Sequence, residues 1–194
     1  KPRAGRHSVH LRAGYRAGYR AQTGLPVVAV TDASLFSAEY EDSLRILGET
    51  CGVSERAKTV TEFINSVIAD LRARTENIPD DDKPSILAAA ATFKGSHGIE
   101  GVYSNYAVFD VISVNDVTRA MMDSELPKGV LVDKEQILAW DPDMIFLDYS
   151  GLELVRKDMA ENPDFYAQLS AFNSGNVYQC LTRPGTGRTW RYRL

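Results

Sequence analysis

The stretch FKGSHGIEGVYSNY, residues 93–106, holds three glycines, two tyrosines and the one histidine beyond the first ten residues. Its side chains with chemistry to offer are Ser96, His97, Glu100, Tyr103, Asn105 and Tyr106. A catalytic reading needs a nucleophile, a base and an orienting third group. Ser96 and His97 are adjacent in sequence, so their side chains need not meet, and no GxSxG elbow is present. A metal reading has His97 and Glu100 but no second histidine nearby, whereas structural zinc takes four ligands; a plain surface histidine is the simpler account. A phosphate cradle would show GxGxxG or GxxxxGK[ST]. Here Gly95, Gly98 and Gly101 are spaced by three, and no Lys-Ser/Thr follows. The loop could also be a connection without a role. The last reading is a ligand wall. Tyr103 and Tyr106 offer flat amphipathic faces, His97 and Asn105 offer hydrogen bonds, and glycines let the backbone come close.

Whichever reading holds, the elements around the loop must position it. GLPVVAVTD (24–32) predicts a buried strand. SAEYEDSLRILGETCG (37–52) predicts a helix with Tyr40, Leu44 and Leu47 on one side, stopped at Gly52. SERAKTVTEFINSVIADLRARTEN (54–77) predicts a long helix capped by Ser54. Val60, Phe63, Ile64, Val67, Ile68 and Leu71 form its apolar stripe. At about 1.5 Å per residue it spans roughly 33 Å, the width of a small domain. Such a helix belongs at a boundary between packed units.

IPDDDKP is a polar turn and SILAAAATF (85–93) a buried strand leading into the loop. Residues 106–122 predict helical pieces broken near Asn115. VDKEQILAWDPD (132–143) predicts a helix with Asp133 and Gln136 as a capping box, ended by Pro142. A strand MIFLDY (144–149), a helix (151–162), a helical piece (163–172) and a strand NSGNVYQCL (173–181) complete the pattern. Alternating strands and helices predict an α/β fold, a three-layer α/β/α arrangement on a mainly parallel sheet. Ligands of such sheets sit beyond the carboxyl ends of strands. The 93–106 loop, Asp148-Tyr149-Ser150 and the segment after Leu181 all lie there.

The chain has 194 residues, 44% hydrophobic, enough for one ordinary domain or one lobe and part of another. No run of about 18 apolar residues could span a membrane. Cys51 and Cys180 lack CxxC spacing and read as small buried hydrophobes. The net charge of −4 is lopsided. Six basic residues between Lys1 and Arg20 precede the first acid, Asp32, and four from Arg183 to Arg193 follow the last, Asp164. Twelve bases then face all 26 acids in the middle, a net of −14. Basic ends on an acidic body would suit nucleic-acid-binding arms.

The order of these pieces resembles a known family. LGE-x(6)-RA, EQILAWDPDMIFLD and ENPDFYAQLSAFNSGNVY, with KGSHGIEGVYSNYAVFDVI between them, resemble the substrate-binding proteins of ABC importers for iron complexes and cobalamin. The likeness covers about residues 24–181. It implies two α/β lobes joined by a long helix, with ligand in the cleft between them. Residues 54–77 would be that helix, 78–182 the second lobe and 1–53 the remainder of a first lobe. The rest of that lobe, a signal and a lipid anchor would lie outside this chain. The expected ligand is a ferric siderophore, with haem or cobalamin behind it. The expected partners are a permease and its ATPase at the periplasmic or extracellular face of the membrane. No catalytic group, metal or cofactor is expected. The expected cleft residues are His97, Tyr103, Asn105, Tyr106 and Tyr149, with Asp32 from the first lobe. Tyr103 and Tyr106 would equally serve as packing, Tyr149 as a loop aromatic and Asp32 as a helix cap. Glu100 is the expected acid for docking on the permease.

The ends depart from the family. Where it continues with a stretch like YNWYGTN-x-E, this chain has TRPGTGRTWRYRL. A one-base slip across Pro184 to Leu194 permits Trp-Tyr-Gly-Thr-Asn-Leu-Glu-Ile, and a similar slip within residues 1–20 permits an apolar strand. The gene's codons decide this; if it holds, 183–194 is an aberrant tail and the basic ends are not nucleic-acid arms. Two other readings stay open: a doubly wound α/β enzyme using the 93–106 loop, and an inactive fragment. The enzyme would need a nucleophile–base pair or a nucleotide fingerprint, and the sequence has neither.

Overall fold

The computed structural model describes residues 18, 20–22, 24, 27–28, 30, 36–104, 106–121 and 128–180. Asp32, Asn105, residues 1–17 and the tail from 181 lie outside the described residues. The chain divides into two compact units, residues 1–66 and 67–194.

In the first unit, α1 (Ala38–Thr50) starts at Ser37, whose hydroxyl accepts from the Tyr40 N–H. It turns at Cys51-Gly52 and meets the start of α2 (Ser54–Thr75). Ser54 is the first helical residue rather than the cap; the Val53 carbonyl accepts from Ala57 N–H and occupies that place. Gly48 is buried because a Cβ there would stand 2.5 Å from the Ala57 Cβ. The Gly of the LGE motif therefore lets α2 close on α1. The expected buried strand at 24–32 is not seen. Gly24, Val27, Val28 and Val30 carry no regular structure, and Val28 and Val30 are exposed. The other positions of that stretch lie outside the described residues.

α2 crosses the boundary between the units. Its apolar stripe is only partly covered: Ile68 is buried, whereas Phe63 is 67% and Val67 41% exposed.

The second unit is an α/β sheet in the order β4-β2-β1-β5-β6. The strands are β1 (Ser85–Ala89), β2 (Gly101–Ser104), β3 (Asn115–Asp116), β4 (Lys128–Leu131), β5 (Met144–Asp148) and β6 (Val177–Cys180). β1 runs parallel to β5, and β5 to β6. β3 adds a short parallel pairing to β1, while β2 is antiparallel to β1 and to β4. The sheet is thus mixed, with a parallel centre. The antiparallel pair was not foreseen: β2 hides inside the glycine-rich loop, and β4 follows a polar stretch with no alternation to mark it.

Strand alternation sorts the side chains onto two faces. Leu87, Ala89, Val102, Ile145, Leu147 and Val177 form the main core. Four helices cover it: α4 (Lys134–Trp140), α5 (Leu152–Glu161), α6 (Pro163–Tyr166) and α7 (Ser170–Ser174). The opposite face carries Ile86, Ala88, Met144 and Phe146, packed with Phe109 of α3 (Ala107–Ile112).

The family-like motifs serve this packing. Asp133 stands at the N-cap of α4, but its side chain makes no capping bond, so the expected box is absent; its carbonyl accepts from Gln136 instead. Asp141 ends α4 in the left-handed conformation and accepts from Ser170 N–H and Oγ, both at 2.7 Å. Asp143 Oδ2 accepts from Ser85 N–H and Oγ, both at 2.8 Å. Asp158 gathers Lys134 Nζ at 2.6 Å, Asn162 Nδ2 at 2.7 Å and the Tyr166 hydroxyl at 2.5 Å. Burial opposes its charge, but these donors hold its carboxyl below the usual range.

Gly48→Ala sets helix propensity against crowding. The methyl would add about 1 kcal/mol of propensity, but overpacking against Ala57 costs roughly 1–3 kcal/mol. We expect net destabilisation in a circular-dichroism melt, relieved by adding Ala57→Gly.

Candidate functional site

The second face ends at the carboxyl edge of the parallel strands, where its residues change from apolar to polar. Phe146 lies beside Tyr178, and two residues on Asp148 lies beside Cys180. Both pairs stand on the face away from the main core. From β2, Tyr103 reaches the same edge. Its hydroxyl stands 3.1 Å from Asp148 Oδ2 and 3.3 Å from the Thr92 carbonyl, and it accepts from Thr92 N–H at 2.9 Å. One phenol therefore ties the end of the β1 segment to the end of β5. Asp148 Oδ1 accepts from Ser150 N–H at 2.9 Å, fixing the carboxylate at the start of the following turn.

Tyr106 joins from the N-cap of α3. Its ring stacks on Tyr103 at 5.7 Å and meets Phe109 edge-on at 5.1 Å. Phe109, Phe146 and Tyr178 carry the ring contacts on across the face at 5.8 and 5.4 Å. Burial, with the Asp148 charge adding to it, pushes the Cys180 thiol up to about 11, against the opposing bond to Tyr106. Burial likewise lifts the Tyr106 phenol to about 12, with Cys180, Tyr103 and Asp148 adding to it. Tyr103 is raised too, first by burial. These groups stay protonated at neutral pH, and Tyr106 donates to the Cys180 sulfur.

The expected residues fare differently. Tyr103 and Tyr106 come together. Tyr149 is 59% exposed in the turn after β5, one residue from Asp148. His97 is folded onto its own loop. Its Nε2 stands 2.8 Å from the Phe93 carbonyl, and its ring stacks on Phe93 at 4.2 Å. A Cβ on Gly101 would stand 2.4 Å from His97 Cβ, so that glycine is what admits the histidine. Glu100 is half-buried and accepts from Gly98 N–H at 3.0 Å. Asp32 and Asn105 lie outside the described residues. Asp148 was expected only as part of a strand-end segment, and Cys180 and Thr92 were not anticipated as site residues. The signal for Asp148 was its place two residues after Phe146 at a strand end. Among the described residues, no three His, Cys, Asp or Glu side chains gather as metal ligands.

A sheet edge of tyrosines and one carboxylate, with no nucleophile–base pair among them, is suited to holding a molecule. A family model described as periplasmic binding protein matches residues 17–183. The chain belongs to that family. No curated protein matches it. Among solved structures, the chain is similar to a periplasmic solute binding protein from Veillonella parvula, with a TM-score of 0.64 and 17% identity. That match covers 87% of this chain and 49% of the other. It is similar to Staphylococcus aureus IsdE complexed with heme, at TM-score 0.60 and 14% identity, covering 87% of this chain and 64% of that one. The vitamin B12 binding protein BtuF of Vibrio cholerae matches at TM-score 0.56 and 16% identity, over 87% and 60%. The chain thus spans about half to two-thirds of these structures. The family is extracytoplasmic in kind. Among the described residues no helix is long and apolar enough to cross a membrane.

Tyr103→Phe removes a hydroxyl with three polar neighbours and leaves Thr92 N–H without its acceptor. We expect a loss of about 1–3 kcal/mol in urea unfolding. The thiols give a second check. Cys180 is raised from 9.0 to about 11, so its contribution to stability is complete below pH 9 and is lost as pH rises toward 11. At pH 8, iodoacetamide should alkylate exposed Cys51 at least tenfold faster than Cys180, read by peptide mass spectrometry.

Proposed function

We propose that this chain is the substrate-binding part of an ABC importer and captures an iron complex, a ferric siderophore first of all. The ligand would close between two lobes and pass to a membrane permease driven by its ATPase. Residues 54–77 would be the helix joining the lobes, and 78–182 most of the second lobe. The observation that carries this reading is the family match over residues 17–183, together with the tyrosine edge at the carboxyl ends of β5 and β6. Heme and vitamin B12 are named for two of the similar structures, which supports a flat metal complex as the ligand class. Aromatic faces suit such a ligand, because stacking gains contact without demanding one hydrogen-bond pattern.

Within the cleft, Tyr103, Tyr106 and Tyr149 would contact the ligand, with Asp32, His97 and Asn105 completing the wall. His97 would contribute by shaping the loop, since its ring is engaged with Phe93. Glu100 would be the acid that meets the permease. The chain would act outside the cytoplasmic membrane as a binder, not as an enzyme.

Fluorescence titration of the chain with a ferric siderophore, haem and cobalamin tests this. Saturable quenching by one of them without turnover is the expected result, with Tyr106→Ala weakening it about tenfold, the value of one lost stacking contact of about 1.4 kcal/mol. Chemical conversion of a bound compound would sink it.

A further inference from the structure

The candidate site has a charge sign, and it is negative. Asp148 stands at its centre, held by Tyr103 and Ser150 N–H, both neutral donors. Among the described residues, no lysine, arginine or histidine bonds or ion-pairs with Asp148, Tyr103, Tyr106 or Cys180. Three bases of this unit are engaged elsewhere. Arg119 Nη2 is bound to Asp110 at 2.6 Å, Lys134 to Asp158 at 2.6 Å, and His97 to the Phe93 carbonyl. Lys94 is exposed on its loop and pairs with none of the four. Three other aspartates near strand and helix ends already carry donors. Asp158 has a lysine, and Asp141 and Asp143 each bind two serine donors.

Two features then act in one direction. The stacked, half-buried faces of Tyr103 and Tyr106 attract a cation through their ring quadrupoles. The carboxylate of Asp148 supplies a full negative charge beside them. At longer range the whole chain carries a net charge of −4, a mild bias toward cations. Among the described side chains a polyanionic ligand would meet no compensating base at these groups, and burying an uncompensated anion is costly.

We propose that this edge of the sheet selects a ligand bearing positive charge, an iron chelate with an ammonium arm rather than a polyanionic one. The proposal rests on the binding reading given above and narrows its ligand class. Asp148 would take the ammonium while the two tyrosines face its alkyl arm.

Isothermal titration at low and at physiological salt tests it with four probes. They are the ferric complex of a linear trihydroxamate with a free terminal amine, the same complex N-acetylated, a ferric tricatecholate, and metal-free choline. The free amine should bind about tenfold tighter than its acetylated form, and the tricatecholate weakest. Added salt should shrink the difference. Asp148→Asn should level the amine and acetyl forms, its fold checked by circular dichroism. The charge series on the unaltered chain decides the matter even if that variant unfolds. Chelates binding alike regardless of charge, or the tricatecholate binding tightest, would overturn the charge selection and leave the importer reading standing. Choline bound through Asp148 with no chelate bound would support charge selection and overturn the iron reading. No binding by any probe would overturn both.

Discussion

The pairing of β1 with β5 is the constraint on which the rest of the second unit depends. Its register sets Ile86 beside Met144 and Ala89 beside Leu147. Because side chains alternate, that register sends Leu87, Ile145 and Leu147 to the helix-covered core and Ala88, Phe146 and Asp148 to the opposite face. A slip by one residue would press Asp148 into an apolar layer beneath α5 and lift Leu147 into the open. Two small staples oppose such a slip. Asp143 holds Ser85 at the start of the pair. Tyr103 holds Asp148 and the Thr92 backbone at its far end. The candidate site therefore shares its parts with register control: the phenol that ties the strand ends is also one proposed to face a ligand.

Much of this was legible in residue order. SILAA, MIFLD and VYQC are dense in apolar residues and bounded by turn signals, and they form the parallel centre as read. The long helix showed in its six-residue stripe and in its length. β2 was illegible because Gly101-Val-Tyr-Ser begins at a glycine that local propensity assigns to a loop. Only its pairing with β1 and β4 makes it a strand, and pairing across distant sequence is invisible to a local pattern. The site divides the same way. Tyr103 and Tyr106 announced themselves by type. Asp148 did not, because its partner lies 45 residues away. His97 drew attention as a lone histidine and proved to be a loop prop, since its ring is engaged with Phe93 and its Cβ sits over Gly101.

The motifs that carried the family resemblance are largely structural. In DPDM, one aspartate holds α7 through Ser170 and the next holds β1 through Ser85. In ENPDFY, Asn162 and Tyr166 both reach back to Asp158. Each bond set gives backbone N–H and carboxylate groups partners within the protein and ties two elements together. The same stretches hold the candidate site: Asp148 closes EQILAWDPDMIFLD, and Tyr103 and Tyr106 lie within KGSHGIEGVYSNYAVFDVI.

What remains is how the site can hold a ligand when its polar groups already have partners. A carboxylate offers about four lone-pair positions. Asp148 uses one on Oδ1 for Ser150 N–H and one on Oδ2 for Tyr103. Each oxygen keeps capacity for a further donor, so a ligand need not break either bond. The existing bonds instead fix the direction of the remaining lone pairs. The stacking of Tyr106 on Tyr103 fixes both rings as well. The entropy of ordering these side chains is spent during folding, not at the moment of binding. A carboxylate left free to turn would need to be ordered by each ligand in turn, and its preference among ligands would weaken accordingly.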